Sequence, residues 1–347
     1  MELTPIRVRG KRRAKGEQPV VAPPIKRPKT DRSQKKQAKD RRPKASEIEK
    51  SMPLEILERI FWLSENVNLP RAGPRLGRLL SGRSTLRETF ITAFEPTWNL
   101  WFGRVAQGSR RYQEREEDVD QCGGNPSFQS DLLACSWATI DMILDCRDIW
   151  VRRHARTRSF QYPALWGDPI EPNPYTGSDT AVGMSDMEEA RFSFYRDYNA
   201  FRNIECLSTY SEASKYYKSE SNPDIRIEVH RFTEIPDDLL TGPWDEASLQ
   251  KFFWLVQAGA CLSTGQTWEV TREGFSNAMS DQCTPNLTVI RLLNILGAFM
   301  TWPSYVRKQE YDNIDNVMPI LSGNKALRAK YTYIEWVLLN GKPFGFL

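Results

Sequence analysis

The sequence predicts a mainly α-helical protein that begins with a disordered basic tail. Apolar residues recur at helical spacing along most of the chain after residue 51, and only residues 225–233 alternate as a strand does. The first fifty residues lack aromatic side chains. Composition and helical patterning divide the chain into four parts: a tail over 1–50, a short helical domain over 51–101, a helical middle region with loops over 102–235, and a C-terminal helical region over 236–347.

The tail is strongly basic, with 17 Lys/Arg against 6 Asp/Glu and a net charge of +11, whereas the remaining residues carry a net charge of −7. It has too few apolar side chains to offset the entropy of ordering. The first basic cluster covers residues 11–15, and in the second Lys26-Arg27 is followed by Lys39, Arg41 and Arg42. The spacing of the second basic cluster resembles that of a bipartite nuclear import signal, for which the partner is importin. The alternatives are contact with nucleic-acid phosphates, which the acidic remainder disfavours, and a solvated tail without a partner. The basic positions are Lys11, Arg12, Arg13, Lys26, Arg27, Lys39, Arg41 and Arg42.

Residues 52–63 predict a short helix with two apolar stripes. Pro53 suits its first turn, where a missing N–H costs nothing. One stripe suffices to pack a helix on its own domain, so the second suggests a protein partner. The alternative is a core helix buried on all sides. The stripes consist of Leu54, Leu57 and Phe61, and of Ile56, Ile60 and Leu63.

The run from Met52 to Phe61, Met-Pro-Leu-Glu-Ile-Leu-Glu-Arg-Ile-Phe, resembles the opening of an F-box, whose pattern is Leu-Pro-x-Glu-Ile/Leu-Leu-x-x-Ile-Phe/Leu. Residues 68–77 and 93–98 resemble the second half of F-boxes in a large group of fungal proteins. The resemblance implies a three-helix module that docks onto the Skp adaptor of a cullin-based ubiquitin ligase. The adaptor-binding residues that it implies are Pro53, Ile56, Leu57 and Ile60.

The helical pattern also predicts two long helices, over 131–158 and 186–218, with loops over 105–129 and 163–184. Residues 225–233 predict a short strand or an extended edge. Within the F-box segment, Thr85-Leu86-Arg87-Glu88 fits a capping box that opens a helix, which Pro96 would then disturb.

The C-terminal region contains three similar segments: 254–260, 292–298 and 336–342. Each is an apolar helix followed by a glycine, which suits a left-handed helix cap. The segments resemble the second helix of ankyrin repeats, although their spacing exceeds the usual repeat of about 33 residues. The resemblance implies degenerate, ankyrin-like helix pairs, and the alternative is a set of unrelated helical hairpins.

We find no pattern that carries catalysis or binds a cofactor. The chain has two histidines and six cysteines without Cys-x-x-Cys spacing, so no zinc set is expected. Phosphate-cradling glycine loops and a nucleophile elbow are also absent from the sequence. The longest apolar run, Phe252 to Leu262, is too short to span a membrane.

The expected function is therefore that of a non-catalytic substrate receptor of an SCF-type cullin ubiquitin ligase. It would bind the Skp adaptor and cullin and recruit an unknown protein substrate. Its expected location is the nucleus, either alone or together with the cytoplasm. The alternative is an ankyrin-like nuclear interaction scaffold without ligase function, in which residues 52–63 only complete a core.

Overall fold

The computed structural model of the chain describes residues 51–102, 105–106, 123–155, 190–219, 225–280 and 284–340. These residues form 14 α-helices and one antiparallel strand pair, Val105–Ala106 (β1) with Ile225–Arg226 (β2). The prediction of a mainly α fold is thus confirmed. The predicted tail over 1–50 and the predicted loop over 163–184 lie outside the described residues.

The helices of the N-terminal half are α1 Leu54–Ser64, α2 Pro74–Leu80, α3 Arg83–Trp101, α4 Pro126–Ala134, α5 Ile140–His154, α6 Ala190–Arg202 and α7 Tyr210–Ser219. Those of the C-terminal half are α8 Asp237–Thr241, α9 Glu246–Gln257, α10 Trp268–Met279, α11 Leu287–Ile295, α12 Ala298–Thr301, α13 Ser304–Val317 and α14 Lys325–Asn340. Short 3₁₀ turns cover Leu69–Ala72, Asn203–Cys206 and Ile320–Gly323.

Helix α3 differs from the sequence prediction at its first residue and at Pro96. It starts at Arg83 after Gly82, and the hydroxyl of Thr85 donates to Glu58 of α1 instead of forming a cap. It also runs through Pro96 to its end without a break. The missing N–H of Pro96 removes one helical hydrogen bond, and the packing of α3 against α4 and α5 compensates for this loss.

The two long helices of the sequence prediction are each divided in the structure. The first is divided between α4 and α5, where the side chain of Thr139 caps α5 by accepting from the N–H of Met142. The second is divided between α6 and α7. There Thr209 and Glu212 form a reciprocal capping box, in which each side chain accepts from the other residue's N–H.

A mostly buried segment without helix, residues 226–235, runs between the helices and is here called the extended segment. It turns once, at residues 230–233, where Phe232 is exposed. Only its first residue belongs to β2, so the predicted strand over 225–233 is shorter than expected. The fully buried Gln129 of α4 joins this segment to α3 with all of its amide atoms. Its nitrogen donates to the carbonyl of Ala93 and to the hydroxyl of Thr97, at 3.0 Å each. Its oxygen accepts from the N–H of His230 and the hydroxyl of Thr233, at 2.8 Å each.

The C-terminal half is a stack of helix pairs, α8 with α9, α10 with α11, and α13 with α14. The second helices of the pairs, α9, α11 and α14, pack against one another in series. Gly259 and Gly297 follow α9 and α11 with φ angles of 91° and 72°, which confirms two of the predicted left-handed caps. The third glycine, Gly341, lies outside the described residues.

Helices α6 and α7 and the turn between them cover one side of this stack. Helix α6 packs on α9, the turn Asn203–Cys206 packs on α11, and α7 packs on α14. Arg291 of α11 donates to the carbonyl of Phe201 at 2.9 Å and lies over the ring of Tyr216. Because it is covered on both sides, α11 has every one of its residues buried.

Helices α8 and α10 approach closely at Gly274. A methyl group at this position would overlap the carbonyl oxygen of Leu240. We expect Gly274→Ala to lower the free energy of unfolding by about 1–3 kcal/mol, because the two helices have to separate. Denaturant unfolding followed by circular dichroism measures this change. The matched control is Gly323→Ala, where a methyl group meets no atom within 4 Å; equal losses in the two variants would contradict the close approach.

Candidate protein-docking surface

Helix α1 packs on one side and exposes aliphatic side chains on the other. On the packed side, Leu57 and Phe61 are 3% and 1% exposed and form a small core with Leu76 and Leu80 of α2. A second side, here called the α1 outer surface, consists of Ile56, Ile60 and Leu63, which are 44%, 37% and 82% exposed. A helix with one packed side and one exposed aliphatic side is suited to binding a protein groove.

The four residues that sequence resemblance assigns to adaptor binding do not lie together. Pro53, Ile56 and Ile60 are on the surface, whereas Leu57 points into the small core. The reason is that α2 folds back and covers Leu57. Leu54, which the spacing groups with the packed stripe, is exposed instead.

Two carboxylates, which the sequence analysis did not single out, fix α1 on the rest of the protein. The Thr85 hydroxyl of α3 donates to Glu58 at 2.6 Å. The side-chain amide of Asn125, just before α4, donates to Glu65 at 2.6 Å. Hydrogen bonds to charged groups are among the stronger ones in proteins, so α1 is held near its middle and just after its C-terminal end. The α1 outer surface is therefore presented in one orientation.

A buried polar cluster surrounds Arg147 of α5. Its guanidinium lies between 5.1 and 5.4 Å from the ring centres of Trp98, Phe102 and Trp150. It also forms an ion pair with Glu228 of the extended segment at 3.5 Å. Stacked aromatic rings and a carboxylate together offset the cost of burying the cation. The cluster has no nucleophile or open cleft, so it joins α5 to the extended segment without offering a reaction site.

A second buried cation, Arg226, pairs with Asp197 of α6 at 2.8 Å, and Gln257 of α9 donates to the same carboxylate at 2.8 Å. Burial raises the pKa of Asp197, while the charge of Arg226 opposes that rise. This cluster ties α6 to α9 at the start of the extended segment.

The two histidines are in different environments, and neither neighbours a candidate nucleophile. His154 lies on the surface, with Nδ1 3.7 Å from a carboxylate oxygen of Glu95. His230 is buried, and its Nδ1 accepts a hydrogen bond from the N–H of Phe232. Burial, with a smaller contribution from the charge of Arg231, lowers the pKa of His230. That residue is therefore held neutral as a structural acceptor.

Within the described ranges, no group of three or more His, Cys, Asp or Glu side chains is arranged to hold a metal ion. The helices of the same ranges include none that is both long and apolar enough to cross a bilayer. Comparisons of the chain with protein family models, curated proteins and solved structures find no match.

Two leucines of α1 provide a test of which side is packed. We expect Leu57→Ala to lower the free energy of unfolding by about 2–5 kcal/mol, because it leaves a cavity beside Phe61. Leu63→Ala, the same chemical change on the exposed side, should change it by less than about 0.5 kcal/mol. Urea unfolding monitored by circular dichroism and by tryptophan fluorescence measures both variants. A loss of similar size in both would contradict the observed orientation of α1.

Proposed function

We propose that this protein is a substrate-receptor subunit of an SCF-type cullin ubiquitin ligase and that it docks the Skp adaptor through the α1 outer surface. The observation that carries the proposal is the set of three exposed aliphatic side chains on one side of a helix whose other side is already packed. Fully burying one such side chain contributes about 1.5–3 kcal/mol, so a groove that covers several of them gains substantial affinity.

The F-box resemblance supports this proposal at particular residues. Pro53, Ile56 and Ile60, three of the four positions that it implies for adaptor contact, are on the surface. The fourth, Leu57, would act indirectly by packing α1 in place. Leu63, the most exposed aliphatic residue of the helix, takes part in the contact instead.

The C-terminal stack would hold the protein substrate. Its ankyrin-like pairing of helices supports this role, since stacked helix pairs form extended binding surfaces. Because α6 and α7 cover one side of the stack, the substrate would bind the remaining outer side, formed by α10, α13 and the loops between pairs. The receptor contributes proximity, and the other ligase subunits carry out the chemistry.

Substituting two aspartates into the α1 outer surface tests whether that surface binds the adaptor. We expect Ile56→Asp/Ile60→Asp to reduce capture of a purified Skp adaptor at least about tenfold, because each charge would be buried without a partner. The control is Leu339→Asp, which places a charge on a more exposed aliphatic position of α14, 61% exposed. The measurement is biolayer interferometry on the full chain, with folding checked by circular dichroism.

Loss of binding in the α1 variant alone would support the proposal. A folded wild-type chain that fails to bind the adaptor would refute it, and the α1 outer surface would then belong to an interaction scaffold. Equal loss in the Leu339→Asp control would show that added charge, and not the α1 outer surface, controls the interaction.

We also propose that importin binds the basic tail and brings the protein into the nucleus. Removing four positive charges from the second basic cluster should lower the nuclear-to-cytoplasmic ratio of the fluorescently tagged full chain severalfold, whereas removing four from elsewhere in the tail should not. A similar decrease in both variants would indicate that only total charge matters. The test variant changes Lys26, Arg27, Arg41 and Arg42 to Ala, and the control changes Arg7, Arg9, Lys35 and Lys36.

A further inference from the structure

An open groove lies on the side of the protein where α4, the end of the extended segment and the loop before α10 meet. Its volume is about 440 Å³, within the range of about 300–1,000 Å³ typical of ligand-binding clefts. The lining comprises Ser130, Asp131 and Ala134 of α4, residues 234–237, and Ser263, Gly265 and Gln266 of the loop. We call it the acidic groove.

The walls of the groove are held by hydrogen bonds between the three elements. The N–H of Glu234 donates to the hydroxyl of Ser130 at 2.8 Å, which joins the extended segment to α4. The N–H of Ile235 donates to the carbonyl of Cys261 at 3.0 Å, which joins it to the loop. The amide of Gln266 donates to the carboxylate of Asp237. The groove is therefore preformed, which lowers the entropic cost of binding a ligand.

The polar groups of the lining are mostly acceptors. All three walls contribute: Asp131 from α4, Glu234 and Asp237 from the adjoining segment, and the side-chain oxygen of Gln266 from the loop. None of the three carboxylates forms an ion pair with another described residue, and no Lys or Arg is among the lining residues. The Gln266 oxygen is buried and accepts no hydrogen bond from the described residues. The groove thus offers unused acceptors to a ligand rich in donors.

The arrangement of these acceptors distinguishes among positively charged ligands. The three carboxylates come from two different walls of the groove, Asp131 from α4, and Glu234 and Asp237 from the segment that adjoins it. Spread carboxylates match cations that are separated from one another, as Lys and Arg side chains are along an extended peptide. The intervening apolar lining, Ala134, Ile235 and Pro236, suits the small or apolar residues between those cations.

We infer that the acidic groove binds a basic, extended peptide segment of another protein. In such a complex, Lys or Arg side chains pair with Asp131 and Glu234, and a further donor bonds to Gln266. Nucleic acids and anionic lipid surfaces are repelled by the same carboxylates. Binding of this peptide to the groove does not depend on α1. The identification of the protein that carries the peptide as a ligase substrate rests on the proposed function.

The test measures fluorescence anisotropy of three labelled nine-residue peptides with the full-length protein. In the basic peptide, Arg or Lys alternates with Ala. The two control peptides have Glu or Ser in place of every Arg or Lys. We expect saturable binding of the basic peptide and no saturable binding of the other two peptides. Replacing Asp131→Asn and Glu234→Gln should weaken that binding about fivefold to tenfold, since two exposed ion pairs at about 0.5–0.7 kcal/mol each are lost.

The matched control is Glu55→Gln with Asp141→Asn, which removes the same charge from exposed positions outside both the groove and the proposed substrate-binding side. The control variant should bind the basic peptide as the wild type does. Equal weakening in both variants would overturn the inference, because it would show attraction by total charge only. Absence of saturable binding, or equal binding of the Ser peptide, would also overturn it.

The same variants separate this inference from the proposed function. The groove variant should still capture the Skp adaptor, and Ile56→Asp/Ile60→Asp should still bind the basic peptide. Peptide binding without adaptor binding would leave the groove established and refute the ligase role. Adaptor binding without peptide binding would overturn the inference about the groove and leave the ligase role supported.

Discussion

The rest of the structure depends on the extended segment, residues 226–235, that runs between the helices without helical hydrogen bonds of its own. Buried backbone groups need partners, and here the surrounding helices supply them. The indole N–H groups of Trp98 in α3 and Trp254 in α9 both donate to Glu228, one to its carbonyl and one to its carboxylate. Gln129 of α4 accepts from the same segment further along. The layers on its two sides are thus held together through a strand-like segment and not only by apolar contact.

Helix α3 links the candidate docking surface to this interior. Its first turn holds α1 through Thr85, and its later turns place Phe90, Phe94 and Trp98 in the main core. A single helix of 19 residues, about 28 Å long, therefore belongs to both parts. The α1 outer surface is thus held at a fixed orientation relative to the main core, because residues 51–102 connect the two without a gap in the described structure.

The features that can be predicted from the sequence are those that residues close together in the chain determine. The helix class follows from spacing, and the caps at Gly259 and Gly297 follow from the freedom of glycine at positive φ. The capping box at residues 209–212 is an equally local signal, which the continuous apolar spacing around it obscured. The candidate site is only partly predictable. Spacing shows that Phe61 and Leu63 lie on different sides of α1, but the packed side is decided by α2, which nothing within α1 encodes.

Long sequence separations in the core have a consequence for synthesis on the ribosome. Gln129 and the extended segment that it binds are 101 residues apart, and Trp98 and Glu228 are 130 residues apart. At about 5–20 residues per second, translation needs about 5–20 s to cover the shorter of these separations. During that interval the apolar sides of α3 and α4 have emerged without the segment that completes their packing. The nascent chain therefore passes through a stage in which chaperone binding competes with aggregation, and this stage ends only when residues 226–235 leave the exit tunnel.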